Sequence, residues 1–343
     1  MASITERVED AGPRSRPGAR GRWVRRLAVA ALALAAGCER GSPAPRPGPR
    51  TAVTLQLNWV PEPEFGGIYA ALADDLFRDH GLDVKVIAGG AGVATPQLVA
   101  SGACDFGLMS ADQLLQIRAQ GGDVAAVYAI FQHSPVGIMV HHDNPARSLE
   151  ALWTSRATVA VEPGLPYVKF LNRRYGGKDL TLVPYQGALA IFAGDPSLAQ
   201  QCFVSAEPVQ MELRGVPVRV FAVAESGYDP YAAVVATSGA AWRSNPERAK
   251  ALVAALREGW RRYLDAPEKY NPAIAALNPA MGERAMHLAA VREHPFIETK
   301  WTQDHGLGAM DPERWRTLAR QMKELGTLGD LADPAAAMVD ASP

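Results

Sequence analysis

Carboxylates, amides and aromatic rings recur in this chain where short apolar runs stop. Val53, Leu55 and Leu57 alternate with Thr54 and Gln56, and that run ends in Asn58-Trp59. Glu64 and Tyr69 flank the Gly66-Gly67 step that follows it. The apolar run 104–109 stops at Ser110, 124–131 at Gln132, 157–161 at Glu162, and 180–183 at Pro184-Tyr185. Residues 202–204 lead to Ser205-Ala206-Glu207, and Tyr231 stands before the run 232–236. Aromatic rings stack on flat ligands, and carboxylates accept hydrogen bonds from ligand amines. Together these residues offer recognition chemistry. No catalytic set accompanies them: the seven histidines are scattered, and there is no G-x-S-x-G, H-E-x-x-H or phosphate loop. His141-His142 sit on an extended segment where neighbours face opposite ways, which argues against a shared metal. The reading therefore expects no catalytic residue, no cofactor and no metal.

Strands must hold such residues at their carboxyl ends for them to meet. The alternation at 53–57 predicts a first strand, and Ile68, Tyr69, Leu72, Leu76 and Phe77 predict one helix after the glycine pair. Strands and helices then alternate as far as residue 236, an α/β pattern in which ligands bind in the crevice at the carboxyl ends of parallel strands. Gly89-Gly90-Ala91-Gly92-Val93-Ala94-Thr95-Pro96 has Thr95 in place of the third glycine of a dinucleotide fingerprint and reads as a tight turn before a helix. Gln132-His133-Ser134-Pro135 lies between two apolar runs and reads as a crossover between lobes. The last hundred residues read as helices, one starting at Ser244-Asn245-Pro246-Glu247 and one at Asp311-Pro312-Glu313. Trp260 and Trp315 fall on their apolar stripes and are packing residues.

The chain opens with an Arg-, Gly- and Pro-rich segment, then Arg25-Arg26, a short apolar stretch, and Leu34-Ala35-Ala36-Gly37-Cys38. A charged region, an apolar region too short to span a bilayer and a small-residue cleavage site describe an export signal. The ending resembles a bacterial lipobox, with Cys38 as the lipidated residue. Residues 39–50 read as a proline-rich tether that would hold a globular body beside a membrane. Without residues 1–37 the chain keeps 28 Lys+Arg and 33 Asp+Glu, a mildly acidic balance without a basic stripe. Nucleic acid is not an expected partner. Cys104 and Cys202 remain after the lipobox, lie in different lobes, and read as buried small apolar residues.

The layout expected from these signals is a signal peptide at 1–37 and a tether at 38–50. A first lobe follows at 51–138 and a second at 139–240. Helices at 241–330 return to the first lobe, and 331–343 form a tail.

Several short motifs, in this order, resemble the thiamine-pyrimidine-precursor family. They are Asn58-Trp59-Val60-Pro61, Gly67-Ile68-Tyr69-Ala70, Gly81-Leu82-Asp83-Val84, Asp105-Phe106-Gly107-Leu108 and the stretch from Phe131 to Val140. Glu207-Pro208 and the Asn245-Pro246-Glu247 helix start fit as well, so the resemblance covers residues 51–266. It implies a type II periplasmic-binding-protein fold: two α/β lobes, two crossovers and a ligand between them. It also implies an extracytoplasmic lipoprotein that delivers a small heteroaromatic metabolite, such as a thiamine pyrimidine precursor or a riboflavin-like molecule, to an ABC importer permease.

On that reading Trp59, Tyr69 and Tyr185 stack on a flat ring, while Asn58, Gln132 and Glu207 read its heteroatoms. Glu64, Ser110, Glu162 and Tyr231 complete the set at the same strand tips. Glu162 and Glu207, two acidic residues among nearly arginine-free tips, argue against sulfonate or nitrate. The family also contains the fungal pyrimidine synthase, which uses pyridoxal phosphate and its own histidine. The positions matching its cofactor lysine and that histidine are here Met109 and Gln113, and its cysteine-rich run matches Tyr231-Ala232-Ala233-Val234-Val235, which has no cysteine. Without that lysine and histidine the chemistry has no starting groups. A lipoprotein that senses a metabolite remains a further alternative.

Overall fold

The computed structural model describes residues 50–342 apart from 186, 188 and 332. The expected signal peptide, Cys38 and all of the tether except Arg50 lie outside the described residues.

Two five-stranded sheets carry the fold. In chain order the strands are β1 (Thr51–Gln56), β2 (Leu82–Ile87), β3 (Phe106–Met109), β4 (Val124–Ala129) and β5 (Val136–His141). They continue as β6 (Thr158–Val161), β7 (Thr181–Pro184), β8 (Leu198–Phe203), β9 (Val218–Ala222) and β10 (Val234–Ser238). The first sheet runs β2-β1-β3-β10-β4 and the second β7-β6-β8-β5-β9. β1 is parallel to β2 and β3, and β6 is parallel to β7 and β8. Each sheet also holds one antiparallel strand beside this parallel set: β10 against β3 and β4, and β5 against β8 and β9. β5 is the first strand after the chain leaves the first sheet, and β10 is the strand by which it returns.

Those two crossings differ from the expected lobe boundaries. The chain crosses between β4 and β5, so a boundary at 138/139 cuts through β5. The polar Gln132-His133-Ser134-Pro135 stretch is where the backbone leaves the first sheet. The return lies between β9 and β10, and β10 pairs in the first sheet although the expected second lobe ran to residue 240.

The glycine pair after β1 is explained by packing. A short 3-10 turn (Pro63–Phe65) leads into the helix Gly66–Ala73, which lies on the long helix Pro246–Asp265. A Cβ on Gly66 would stand 2.1 Å from the Tyr263 ring, and one on Gly67 would stand 2.3 Å from the Trp260 indole. Gly259 meets them from the other side, where its Cβ would lie 2.2 Å from the Gly67 carbonyl. The two backbones therefore approach as closely as they do because three side chains are missing. The single helix expected to reach Phe77 is broken instead. Asp75 adopts φ 57° and a separate turn, Leu76–Asp79, follows. Aspartate tolerates this left-handed geometry better than most residues.

Trp260 and Trp315 are buried, as their stripes require. Cys104 and Cys202 are free, buried thiols. The expected tail is tied down: Val339 N–H donates to the Ala126 carbonyl at 3.0 Å, and Met338 bridges to the same β4 residue. Among the described residues no helix is long and apolar enough to cross a membrane.

Candidate functional site: an acidic cleft between the lobes

Because the parallel strands of each sheet end on one side, their tips converge where the sheets face each other. Asn58 and Trp59 follow β1, Ser110 follows β3, Glu162 follows β6 and Tyr185 follows β7. Asn58, Trp59, Ser110, Glu162, Cys202 and Phe203 all line a cleft of about 900 Å³, counted to its open mouth. The glycine-rich turn supports its rim. Gly89 N–H donates to the Trp59 carbonyl at 2.9 Å, and a Cβ on Gly89 would lie 2.3 Å from the Leu57 carbonyl. Only glycine lets that loop press against the backbone that presents Asn58 and Trp59.

One wall of the cleft is a polar network. Asp112 is buried in the first turn after Ser110, and its Oδ2 accepts from the Tyr228 hydroxyl at 2.8 Å. Its Oδ1 accepts from Gln113 N–H at 2.8 Å and from the Ser110 hydroxyl. Burial raises the Asp112 pKa, and these hydrogen bonds oppose the rise. On the second lobe Gln201 Oε1 accepts from Glu162 N–H at 2.7 Å and from the Tyr167 hydroxyl at 2.9 Å.

The cleft opens into a smaller recess of about 460 Å³, and Asn58, Trp59, Glu162 and Phe203 are walls of both. Glu62, Glu64, Tyr185 and Glu207 complete the recess. Trp59 and Tyr185 face each other with ring centroids 6.3 Å apart and planes 16° from parallel. The Tyr185 hydroxyl donates to Glu207 Oε1 at 2.8 Å, and Glu207 Oε2 accepts from Phe203 N–H at 2.7 Å. Behind them the helix Glu283–Ile297 packs on both the Pro63–Phe65 turn and the Glu207–Leu213 helix, and it brings Glu293 to the same acidic group.

Burial raises all of these carboxyls. Glu62 is pushed up to about 8 by burial and then by the Glu207 carboxylate, with a lowering hydrogen bond from Asn278. Glu64 is raised by burial and by Glu62, Glu293 and Glu207; Glu293 by burial and Glu62; Glu207 and Glu162 by burial. Asn58 Oδ1, Glu64 Oε1 and Glu293 Oε1 are buried without a hydrogen-bond partner.

Of the ten residues expected to bind ligand, the structure gathers seven around the cleft and recess: Asn58, Trp59, Glu64, Ser110, Glu162, Tyr185 and Glu207. Three are elsewhere. Tyr69 is half-buried against the first-lobe core. Gln132 is buried, and its Nε2 donates to the Ala309 carbonyl at 3.1 Å. Tyr231 is buried beneath the Arg314 guanidinium, 4.0 Å from its ring centroid, and its hydroxyl accepts from Asp311 N–H at 2.7 Å. Both of these strand-end residues fasten the C-terminal segment instead of facing the cleft. Sequence reasoning passed over Glu62, Asp112, Tyr167, Gln201 and Tyr228. The signal for Glu62 was its place in the same proline-bracketed loop as Glu64.

The residues present do not fit pyridoxal phosphate. Among the described residues no lysine lines the cleft or the recess. Met109 is fully buried at the end of β3, and Gln113 Oε1 accepts from Ser110 N–H at 3.1 Å in a helix cap.

Two α/β lobes, two crossovers and a cleft between facing strand tips define the type II periplasmic-binding-protein fold. The aliphatic sulphonate binding protein SsuA of Escherichia coli shares it, with a TM-score of 0.66 at 15% identity over 84% of this chain and 92% of that one. The chain belongs to the family described as NMT1/THI5 like, which matches residues 62–270. Among curated relatives, the riboflavin-binding protein RibY of Chloroflexus aurantiacus is 24% identical over 316 residues, covering 87% of this chain and 88% of its own. The 4-amino-5-hydroxymethyl-2-methylpyrimidine phosphate synthase THI11 of Saccharomyces cerevisiae is also 24% identical, but over 127 residues and 37% of each chain.

Proposed function

We propose that this protein is an extracytoplasmic solute-binding lipoprotein, anchored through Cys38, that hands a small heteroaromatic metabolite to an ABC importer permease. The observation that carries the reading is the convergence of Trp59, Tyr185 and Glu207 in the recess between the lobes. The rings suit a flat ligand, and the carboxylate suits an amine on its edge. The likeness to RibY supports a solute-binding role, and a thiamine pyrimidine precursor or a riboflavin-like molecule fits the cleft's aromatic and acceptor-rich walls. Carboxyl groups in place of guanidinium groups disfavour sulfonate and nitrate. The missing lysine leaves the synthase reading without a group to hold its cofactor.

The test is a thermal-shift panel of hydroxymethyl- and formylamino-pyrimidines, thiamine, riboflavin, taurine and nitrate on the purified full chain. A ligand at a hundred times its dissociation constant adds ~2.7 kcal/mol and raises Tm by several degrees. A shift with one heterocycle and none with taurine or nitrate is expected. A shift with taurine or nitrate alone overturns the heteroaromatic assignment.

A further inference from the structure

The recess has an excess of acceptors that the receptor reading does not by itself require. Glu62 and Glu64 come from the loop after β1, Glu162 and Glu207 from the second lobe, and Glu293 stands behind them on a C-terminal helix. Among the described residues none of Glu62, Glu64, Glu207 and Glu293 is in an ion pair, and the charges that act on them are other carboxylates. Arg214 lines an outer groove with Glu62 and Glu207, yet pairs with neither. Without a lysine or arginine of their own these buried carboxyls favour the neutral form, and a cation from outside would favour the ionised one. The second observation is independent of charge. Glu64 is 7% exposed, forms part of the recess wall, and its Oε1 has no hydrogen-bond partner. The buried Oδ1 of Asn58, on the same wall, has none either. Buried acceptors left open on a cavity wall call for a donor from outside the chain.

We infer that the recess binds a positively charged nitrogen group of the ligand, an ammonium, amidinium or protonated ring nitrogen, held between Glu62 and Glu64 of the first lobe and Glu207 of the second. This rests on the receptor reading and narrows it to cationic aromatic ligands, which excludes a neutral flavin. The cation does two things. It supplies donors to the open Glu64 Oε1 and Asn58 Oδ1, and it favours the ionised form of carboxyls contributed by both lobes, which then attract it together. Ligand charge is thereby coupled to closure of the cleft. An organic cation is the ligand class because, among the described residues, no group of three or more His, Cys, Asp or Glu side chains is placed to hold a metal ion. The Trp59–Tyr185 wall beside the carboxyls suits a charge carried on or next to a ring.

The experiment compares matched pairs by calorimetry on the full chain in mild detergent. One pair is a methylaminopyrimidine bearing an aminomethyl or a hydroxymethyl arm, and the other is benzamidine and benzamide. In each pair the two compounds have nearly the same shape and differ in charge. The expected result is that the cation binds at least about ten-fold more tightly in each pair, and that Glu64→Gln or Glu207→Gln abolishes the preference. Circular dichroism and Tm of both variants verify that they fold. If the hydroxymethyl compound equals the aminomethyl one, the cationic subsite is overturned while the heteroaromatic receptor stands. If riboflavin binds and the cations do not, the outcome is the same. If the preference survives both substitutions, the site is not in this recess and the inference fails. Silence from every cation overturns it as well, whatever the neutral compounds do.

Discussion

The Trp59 indole and the Tyr185 ring face each other from opposite lobes, 6.3 Å apart and 16° from parallel, and the Tyr185 hydroxyl donates to Glu207 at 2.8 Å. One tyrosine therefore serves both parts of the recess: its ring forms the aromatic wall and its hydroxyl orients the carboxylate. The two roles separate by substitution. Trp59→Ala removes half of the wall and is expected to weaken an aromatic ligand by about ten-fold. Tyr185→Phe keeps the ring but leaves Glu207 with one donor fewer, and is expected to cost about three- to ten-fold. Titration calorimetry with whichever heterocycle stabilises the protein measures both. Equal affinity for Trp59→Ala and the parent would remove Trp59 from the site.

Glu62 gives the unliganded protein a pH dependence of definite sign. Its ordinary pKa is 4.5, and burial beside Glu207 raises it to about 8. Between those values the folded state holds a proton that the unfolded state has lost. The contribution is fully present below about pH 4.5 and disappears as pH rises to 8. Glu62→Gln keeps the shape and removes the titration. It is expected to stabilise the protein by about 1–2 kcal/mol at pH 8, discounted because Glu62 is only partly buried, and to change little at pH 5. Thermal melts across this range decide it, and a stabilisation as large at pH 5 as at pH 8 contradicts the assignment.

The same raised carboxyls imply that a cationic ligand displaces protons. A positive group beside Glu62, Glu64 and Glu207 favours their ionised forms, so binding near pH 7 releases protons to the buffer. Apparent binding enthalpies in phosphate and in Tris are then expected to differ by the difference in buffer ionisation heats times the protons released. Identical enthalpies in the two buffers would mean that no carboxyl changes state on binding.

Much of the cleft was legible because apolar runs end where parallel strands end, and Asn58, Ser110, Glu162, Tyr185 and Glu207 each sit at or just beyond such an end. Gln132 satisfies the same local rule, Tyr231 stands just before the antiparallel β10, and both are nevertheless absent from the cleft. Their partners, Ala309 and Asp311, lie about eighty residues or more downstream in a segment whose docking no local pattern reveals. Glu293 was illegible for the converse reason. It reads as one polar position on a helix and becomes part of the acidic group when that helix packs on the Pro63–Phe65 turn. Gln201 depends on which face of β8 meets the cleft, and Tyr167 on how the helix Pro166–Tyr175 packs beside that strand. The crossover at Gln132–Pro135 was visible as a polar interruption, whereas the assignment of β10 to the first sheet follows only from the return of the chain.

The helix after β1 is held at a distance set by glycine. A methyl group on Gly67 would stand 2.3 Å from the Trp260 indole, and both residues are buried. Gly67→Ala therefore forces either the tryptophan or the helix to move. The expected cost is about 1–3 kcal/mol, read as a lower urea midpoint with an unchanged slope. Because that helix follows the loop carrying Glu62 and Glu64, the variant is also expected to bind ligand more weakly than its loss of stability requires. Full stability would mean that the two helices separate without penalty.

Asp112 tests whether the polar wall of the cleft is structural as well as a lining. Its buried carboxyl accepts from the Tyr228 hydroxyl, Gln113 N–H and the Ser110 hydroxyl, and so joins the start of the helix Ala111–Ala119 to the crossover that carries Tyr228. Asp112→Ala strands three donors at once and is expected to destabilise by about 1–3 kcal/mol. Asp112→Asn retains one oxygen for Gln113 N–H and Ser110 and turns an amide N–H toward the Tyr228 oxygen, which can accept it, so its cost is expected to be less than half as large. Tyr228→Phe removes one of the three donors and should lie between the parent and Asp112→Ala. Urea melts of the three variants give this order. If Asp112→Asn is as damaging as Asp112→Ala, the negative charge is what matters, through the positive end of the helix it begins.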